Sequence, residues 1–513
     1  MEASRYEVPG SQWAEFFAPR AQERITLGNV TLEQLKDRFT DPRTPTLPIS
    51  VDEYLDWLGR EVLPYTVNVS SQKFIGHMTS ALPDFMPELS ALVSRLNQNM
   101  VKVETSKSLT LLERQMLAML HREFFGGVEC RDRIQDPSHV FGLVVSGGSS
   151  ANITALWNAR NRSLLGLGFT KAEIRECGAF ELLRQRGYEG FAIVTSPLAH
   201  YSIRKAASLL GIGERDVLLL RQDAAQRADS ADIEVKLELS RKRRLLVIAI
   251  IGIAGATETG TIDNLEEMGK IAARHRVHFH VDAAWGGALI FSDKYRKLLE
   301  GIHHADTITL CPHKQLYVPQ GISLCLFKDS QAVHASSVHS AYQGRHGSFD
   351  FGQYTLEGSR PALFLCLHAM FCIVSRRGIG ALVEQGIETA RFMADLIEKH
   401  QAFQLIGTPE INILNYRYLP RHLRHKTSHS PEENRVISEA VTRIQERQFL
   451  QGRTFVSRTE ILSARHCGER ITVFRVVIAN PLTTHQDLRD ALTEQLEITA
   501  EAEMETHAEG ISS

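Results

Sequence analysis

Seven short, nearly unbroken apolar runs recur through the middle of the chain: Val140–Val145, Gly190–Thr195, Val217–Leu220, Leu245–Ile253, His278–Val281, Thr307–Leu310 and Ile322–Phe327. Amphipathic stretches separate them. A strand that is apolar on both faces must be covered on both. Runs of this kind alternating with helical segments predict an α/β fold, a mainly parallel sheet with helices on either face. Such sheets take their ligands at the carboxyl ends of their strands. The residues just past each run are therefore where chemistry is expected.

Two of these ends carry strong candidates. One run continues into Asp282-Ala283-Ala284-Trp285-Gly286-Gly287, and another into Cys311-Pro312-His313-Lys314, with the acid and the lysine thirty-two residues apart. Period-two alternation puts His278, His280 and Asp282 on one face of their strand. A carboxylate there is costly without a charged or hydrogen-bonded partner; taken alone, it reads equally well as a cap for the following helix. A lysine at a strand end is a surface charge unless burial lowers its pKa, when it becomes a usable amine nucleophile. An amine for a Schiff base and an acid that keeps a pyridine nitrogen protonated are together what a pyridoxal 5'-phosphate enzyme requires. Amino-acid chemistry is the leading reading.

Two further strand ends fit that reading. Ser146-Gly147-Gly148-Ser149-Ser150-Ala151-Asn152 follows the first run and opens a helical face. Its glycines permit close backbone approach, and free N–H groups at a helix start attract phosphate. The glycine and lysine spacings of a Walker loop or a dinucleotide fingerprint are missing. His200, in Ser196-Pro197-Leu198-Ala199-His200-Tyr201-Ser202, stands where a ring could be stacked, although a lone histidine there also reads as structural.

At 513 residues the chain has room for roughly three domains. The expected division is a helical segment over 1–110, with a helix start at Ser50-Val51-Asp52-Glu53, a large α/β domain over 111–375, and a small α+β domain over 376–513. A net charge of -2 gives no case for nucleic acid or an anionic membrane as partner. The run Leu245–Ala256 is short of the ~20 residues of a spanning helix, and the N-terminus has no apolar core of signal-peptide length. Seven scattered cysteines without Cys-x-x-Cys spacing point to reduced thiols and a cytoplasmic setting. No metal site is expected, and the basic, histidine-rich Arg421–His429 reads as a solvated loop.

The segments SGGSSAN, AHYSIRKA, TGTIDNL, HVDAAWGG, PHKQLYVPQG and FRVVIANPLTTHQDL occur in this order over roughly residues 70 to 495. So arranged, they resemble the group II pyridoxal-phosphate-dependent decarboxylases, the family of the glutamate, cysteine-sulfinate and aromatic-amino-acid enzymes. HVDAAWGG and PHK are the specific pieces. The resemblance implies fold type I of the pyridoxal-phosphate enzymes, and a homodimer whose active sites are shared between chains. It implies Lys314 as the cofactor-bearing lysine and Asp282 as the partner of the pyridine nitrogen, with Ala284 under the ring and His200 over it. Gly148 and Ser149 match the phosphate cradle, Thr257 a residue near the ring oxygen, and His313 the histidine before the lysine. Gly358, in Gly358-Ser359-Arg360, matches a segment that reaches the phosphate across the dimer interface. Tyr342, in the glycine-rich SAYQGRHGSFDFG, falls where these enzymes keep a mobile-loop tyrosine that returns a proton to the substrate carbon.

The expected substrate is a small acidic amino acid. Arg475, in Val473-Phe474-Arg475-Val476, matches an arginine that holds a substrate carboxylate, a task that suits a bidentate guanidinium. Thr79 and Ser80 fall in a stretch resembling the one that contacts the substrate side chain. HKQLYVPQG and TLEGSRPA look like the bacterial enzymes of the family that convert aspartate to β-alanine for pantothenate. Aspartate is the expected substrate, with glutamate to GABA and cysteine sulfinate as alternatives, because one methylene is worth only ~1–3 kcal/mol in a pocket. An aminotransferase or a lyase on the same fold would use the same Lys314 and Asp282.

Overall fold

The computed structural model describes residues 24–26, 30–127, 131–340, 347–426, 428–463 and 468–511. Among these, one compact unit combines the chain up to Ala81 with Gly386 onward, and the other is Leu82–Gln385. These boundaries differ from the expected 110 and 375. Residues 82–110 group with the large unit because Met86, Met100 and Val101 are buried there and Met100 N–H donates to the Arg360 carbonyl at 3.0 Å.

In the large unit all seven apolar runs are strands: β1 Gly142–Val145, β2 Gly190–Thr195, β3 Val217–Leu219, β4 Leu245–Ile253, β5 His278–Asp282, β6 Thr307–Leu310 and β7 Ser323–Phe327. They form one seven-stranded sheet in the order β1-β7-β6-β5-β4-β2-β3. β7 runs antiparallel to both β1 and β6, and the other pairings are parallel. Helix Gly148–Gly166 covers one face, where Leu156 and Ala159 share a core with Ile193, Ile251 and Ile253. Helix Leu265–His275 covers the other so closely that a Cβ on Gly252 would sit 2.8 Å from Leu265 Cδ2. The mainly parallel α/β sheet with helices on both faces is the expected one.

The smaller unit is built on an antiparallel sheet in the order β10-β11-β9-β8, comprising β8 Phe403–Leu405, β9 Ile413–Tyr418, β10 Ser457–Ser463 and β11 Glu469–Val477. Helix Pro431–Gln451 packs on it through Val441 and Ile444. The N-terminal helix Val51–Glu61 starts at Ser50 with a reciprocal cap: Glu53 N–H donates to Ser50 Oγ at 3.1 Å and Ser50 N–H to Glu53 Oε2 at 2.7 Å. Of the Arg421–His429 segment, His429 is buried rather than solvated, with Arg417 Nη2 donating to its Nδ1 at 3.0 Å.

Among the described residues one helical stretch, Phe364–Glu398, is long and apolar enough to cross a membrane. It is not one continuous helix. Met370–Val374 is a π-helical turn and Ser375 has φ 68°, while Phe364, Leu367, Ile379, Val383 and Ile387 are fully buried in protein. The Leu245–Ala256 run is a buried strand and its exit.

Candidate active site

The carboxyl ends of β5 and β6 bring the leading candidates together. Asp282 closes β5 in register with Ile253 of β4 and Thr309 of β6, and only 5% of it is exposed. Ala284 N–H donates to its Oδ1 at 3.1 Å and Asn152 Nδ2 to its Oδ2 at 2.9 Å. A carboxylate offers about four acceptor positions, so two donors leave it able to take another, such as a pyridinium N–H. Lys314 lies half-buried in the tight turn after β6, where its N–H donates to the Cys311 carbonyl at 3.1 Å.

His200 follows β2 and feels both groups. Burial holds its pKa below the ordinary value, the Asp282 carboxylate works against that, and the charge of Lys314 adds to it. His200 thus offers an uncharged ring face at neutral pH. Ser202 orients it, with Oγ 2.8 Å and N 3.3 Å from the histidine Nδ1. His313 Nδ1 donates to the Ile322 carbonyl at 2.7 Å, and burial lowers its pKa as well.

Helix Gly148–Gly166 presents its N-terminus to the same end of the sheet, with no side chain capping it among the described residues. Gly148 N–H is directed at the Cys311 thiol, and the N–H groups that follow it in the first turn are the ones an anion would meet. A Cβ on Gly148 would sit 2.8 Å from Cys311 Sγ and 4.0 Å from Ala284 Cβ, whereas one on Gly147 would meet nothing within 4 Å. The cradle is thus tight against the Lys314 turn and open on its outer side. Ser149 stands beside Gly148 in the first turn. Glu357, adjacent to Gly358, accepts from Ser146 N–H at 3.0 Å and from Ser146 Oγ at 2.5 Å. Burial raises its pKa, but these bonds outweigh the burial and hold it below the usual range. Gly358 itself is exposed beside the cradle of its own chain. Thr257 lies in the turn after β4, which is pinned to the site by Ala254 N–H donating to the Asp282 carbonyl at 2.9 Å.

Asn152 is the residue that sequence reasoning left without a role. It is 1% exposed, one helical turn beyond Gly148 on the same face. Its Nδ2 donates to Asp282 and, at 2.9 Å, to Ser202 Oγ, so its Oδ1 must be the acceptor from Thr309 Oγ1 at 2.6 Å and His280 Nε2 at 3.0 Å. This orientation of the amide assigns the proton of a neutral His280 to Nε2. With Nε2 protonated, the Nδ1 of the neutral ring accepts from Thr307 Oγ1 at 2.9 Å, while the Thr307 carbonyl, 3.1 Å from the same nitrogen, favours a proton there; Thr307 Oγ1 in turn accepts from His278 Nε2 at 2.8 Å. A directed hydrogen-bond chain runs the length of β5, every donor pointing towards Asp282, and such chains strengthen each of their members. Cys311, whose thiol pKa is raised by burial, is the other unanticipated neighbour of the cradle.

In the smaller unit, Arg475 of β11 donates from Nε to Ser457 Oγ at 3.0 Å and from Nη2 to the Gly76 carbonyl at 3.3 Å. Only glycine fits at 76, since a Cβ would lie 2.4 Å from Ser457 N. Thr79 and Ser80 follow three and four residues later, both half-buried, and Thr79 Oγ1 is 3.1 Å from His77 Nδ1. Tyr342 lies outside the described residues.

Comparison with known proteins agrees with this geometry. The model of the pyridoxal-dependent decarboxylase conserved domain matches residues 42–419. The chain is 41% identical over 490 residues to the aspartate 1-decarboxylase of Aliivibrio fischeri, covering 94% of this chain and 89% of that protein. It is 27% identical to the human acidic amino acid decarboxylase GADL1, with 86% and 80% covered. The fold is that of a crystal structure of mouse CSAD, at a TM-score of 0.83, 24% identity, and 95% and 97% of the two chains.

Proposed function

The chain belongs to the pyridoxal-dependent decarboxylase family, and on that premise we propose that its substrate is L-aspartate, from which it releases the α-carboxylate as CO2 to leave β-alanine. It is a carboxy-lyase that uses pyridoxal 5'-phosphate. The observation that carries the chemistry is the buried Asp282 with acceptor capacity to spare, beside a half-buried Lys314. The choice of aspartate rests on the kinship with a bacterial enzyme of that name.

When bound, the cofactor supplies an electron sink for the bond that breaks at the α-carbon. Lys314 provides the amine that tethers it, and Asp282 keeps its ring nitrogen protonated. The helix end at Gly148 and Ser149, with Gly358 beside it, takes the phosphate. Ala284 and His200 would flank the ring, Thr257 would stand near the ring oxygen, and His313 would support Lys314. Arg475, Thr79 and Ser80 hold the substrate's acidic side chain. Orientation of the substrate would decide which bond at the α-carbon breaks, and Tyr342 would return a proton to the same carbon. The enzyme works as a cytoplasmic homodimer with shared sites, a setting in keeping with the free thiols of Cys177, Cys311, Cys325, Cys366 and Cys372.

The test is CO2 release by cofactor-loaded protein offered aspartate, glutamate, cysteine sulfinate and an aromatic amino acid in parallel. Selective release from aspartate is expected. Preference for glutamate or cysteine sulfinate would overturn the substrate, and keto-acid formation without CO2 would mark an aminotransferase.

A further inference from the structure

The end of the large sheet opposite Asp282 holds a second feature that the decarboxylase reading leaves unused. A cavity of about 840 Å³ opens at the amino ends of β4 and β5. Its walls carry Arg162, Arg241, Arg244, Arg276 and Lys328 against a single carboxylate, Asp306. Part of that charge is countered: Arg162 pairs with Asp306 at 3.3 Å, Arg241 with Glu238 at 3.2 Å, and Arg244 with Glu189. No carboxylate among the described residues pairs with Arg276 or Lys328. Both Arg244 and Arg276 have φ 54°, a left-handed conformation in which glycine is the comfortable residue. Arg244 stands two residues past its helix and directly before a strand, and Arg276 directly past its helix and two residues before a strand, so two successive helix-to-strand turns line the same space with a guanidinium.

His278 forms part of the wall, is 8% exposed, and has an Nδ1 with no hydrogen-bond partner. In the directed chain along β5, His278 Nε2 is the donor to Thr307, so Nδ1 carries a lone pair, but that atom is itself shielded from the cavity. Arginines in fork geometry match phosphate oxygens. Cavities of ~300–1,000 Å³ hold ligands of metabolite size.

We infer that this cavity binds an organic phosphate, a sugar phosphate or a nucleotide, with its phosphate on Arg276, Lys328 and Arg244. The site lies at the far end of β5 from Asp282, four residues or roughly 13 Å along a strand, and is distinct from the cofactor cradle.

The test is calorimetric titration of the full-length holoenzyme, its cradle filled, with fructose 1,6-bisphosphate and with ADP, against sodium sulfate at matched ionic strength. Saturable binding of at least one organic phosphate is expected, and which one binds identifies the source. Arg276→Gly is expected to weaken that binding tenfold or more while the melting temperature holds or rises, because glycine relieves the left-handed position. Lys328→Ala, at an exposed site, is the second variant and should weaken binding likewise. No saturable binding of either compound, binding that sulfate reproduces, or binding unchanged in both variants would overturn the assignment.

Discussion

Replacing Asn152 with alanine is the sharpest probe of the hydrogen-bond chain. The amide makes four hydrogen bonds, to Asp282, Ser202, His280 and Thr309, all within buried surroundings. A hydrogen bond to a charged group contributes about 1.5–3 kcal/mol, and each buried polar group left unpaired costs about 1–3 kcal/mol. Water entering the vacated space would recover part of that, so a loss of about 3–5 kcal/mol in folding stability is expected. The functional effect is separable. Without Asn152, Asp282 keeps only the Ala284 N–H and loses its orientation, which should weaken cofactor binding by roughly 10- to 100-fold, or about 1.4–2.8 kcal/mol. Titrating apoprotein with pyridoxal 5'-phosphate by visible absorbance reads the affinity, and urea unfolding reads the stability. Asn152→Asp keeps the size but turns a carboxylate oxygen towards Asp282, and should lose at least as much affinity as the alanine variant. If Asn152→Ala unfolds earlier yet binds the cofactor within twofold of the parent, the chain is structural and does not serve Asp282. Unchanged stability would refute the chain altogether.

Burial pushes His278 and His280 down to about 4, against ~6.5 in the unfolded chain, so between those values the unfolded state binds more protons. The stability from each neutral ring is complete above ~6.5 and falls by about 1.4 kcal/mol per pH unit as pH drops towards 4; urea titrations from pH 7 to 5 that show no loss would contradict it. Arg360 and Glu113 form a buried bidentate pair at 2.6 and 3.0 Å, and Arg360→Met should cost about 3–5 kcal/mol by stranding the acid, with Glu113→Leu in the same chain restoring most of it. Denaturation of the single and double variants measures this, and a single-variant cost below ~1 kcal/mol would count against it. Gly148→Ala should abolish cofactor binding because its Cβ meets Cys311 Sγ at 2.8 Å, and adding Cys311→Ala should recover binding; normal absorbance in the single variant would show that the cradle yields. Arg475→Lys, which loses the bidentate fork, should raise KM about tenfold or more at unchanged cofactor affinity, and steady-state kinetics with equal KM would remove Arg475 from the substrate site.

The strands and the main chemical residues were legible because their signals are local. Each apolar run is a strand within a residue or two, Asp282 closes one of those strands, and Lys314 stands four residues past another. The cap at Ser50 is likewise written in four consecutive residues, Ser50 to Glu53. β8 escaped notice because three residues are too few to show a period, and β10 because its exposed first half reads as a loop. The grouping of residues 82–110 with the large unit depends on contacts such as Met100 with Arg360, far along the chain.

The chain's own pattern determined the sheet and pointed to the cofactor chemistry, since burial on two faces, a strand-end acid and a strand-end amine are properties of short segments, and the family was legible in the resemblance of its ordered motifs. Tertiary structure alone decided the role of Asn152, whose partners lie 50 to 157 residues away, and with it the direction of every donor along β5. It alone also gathered the cations of the opposite cavity, which come from separate helices, turns and a strand end. A hydrogen bond or a charge cluster is set by distances in space, and no periodicity in a sequence encodes which distant segments will meet.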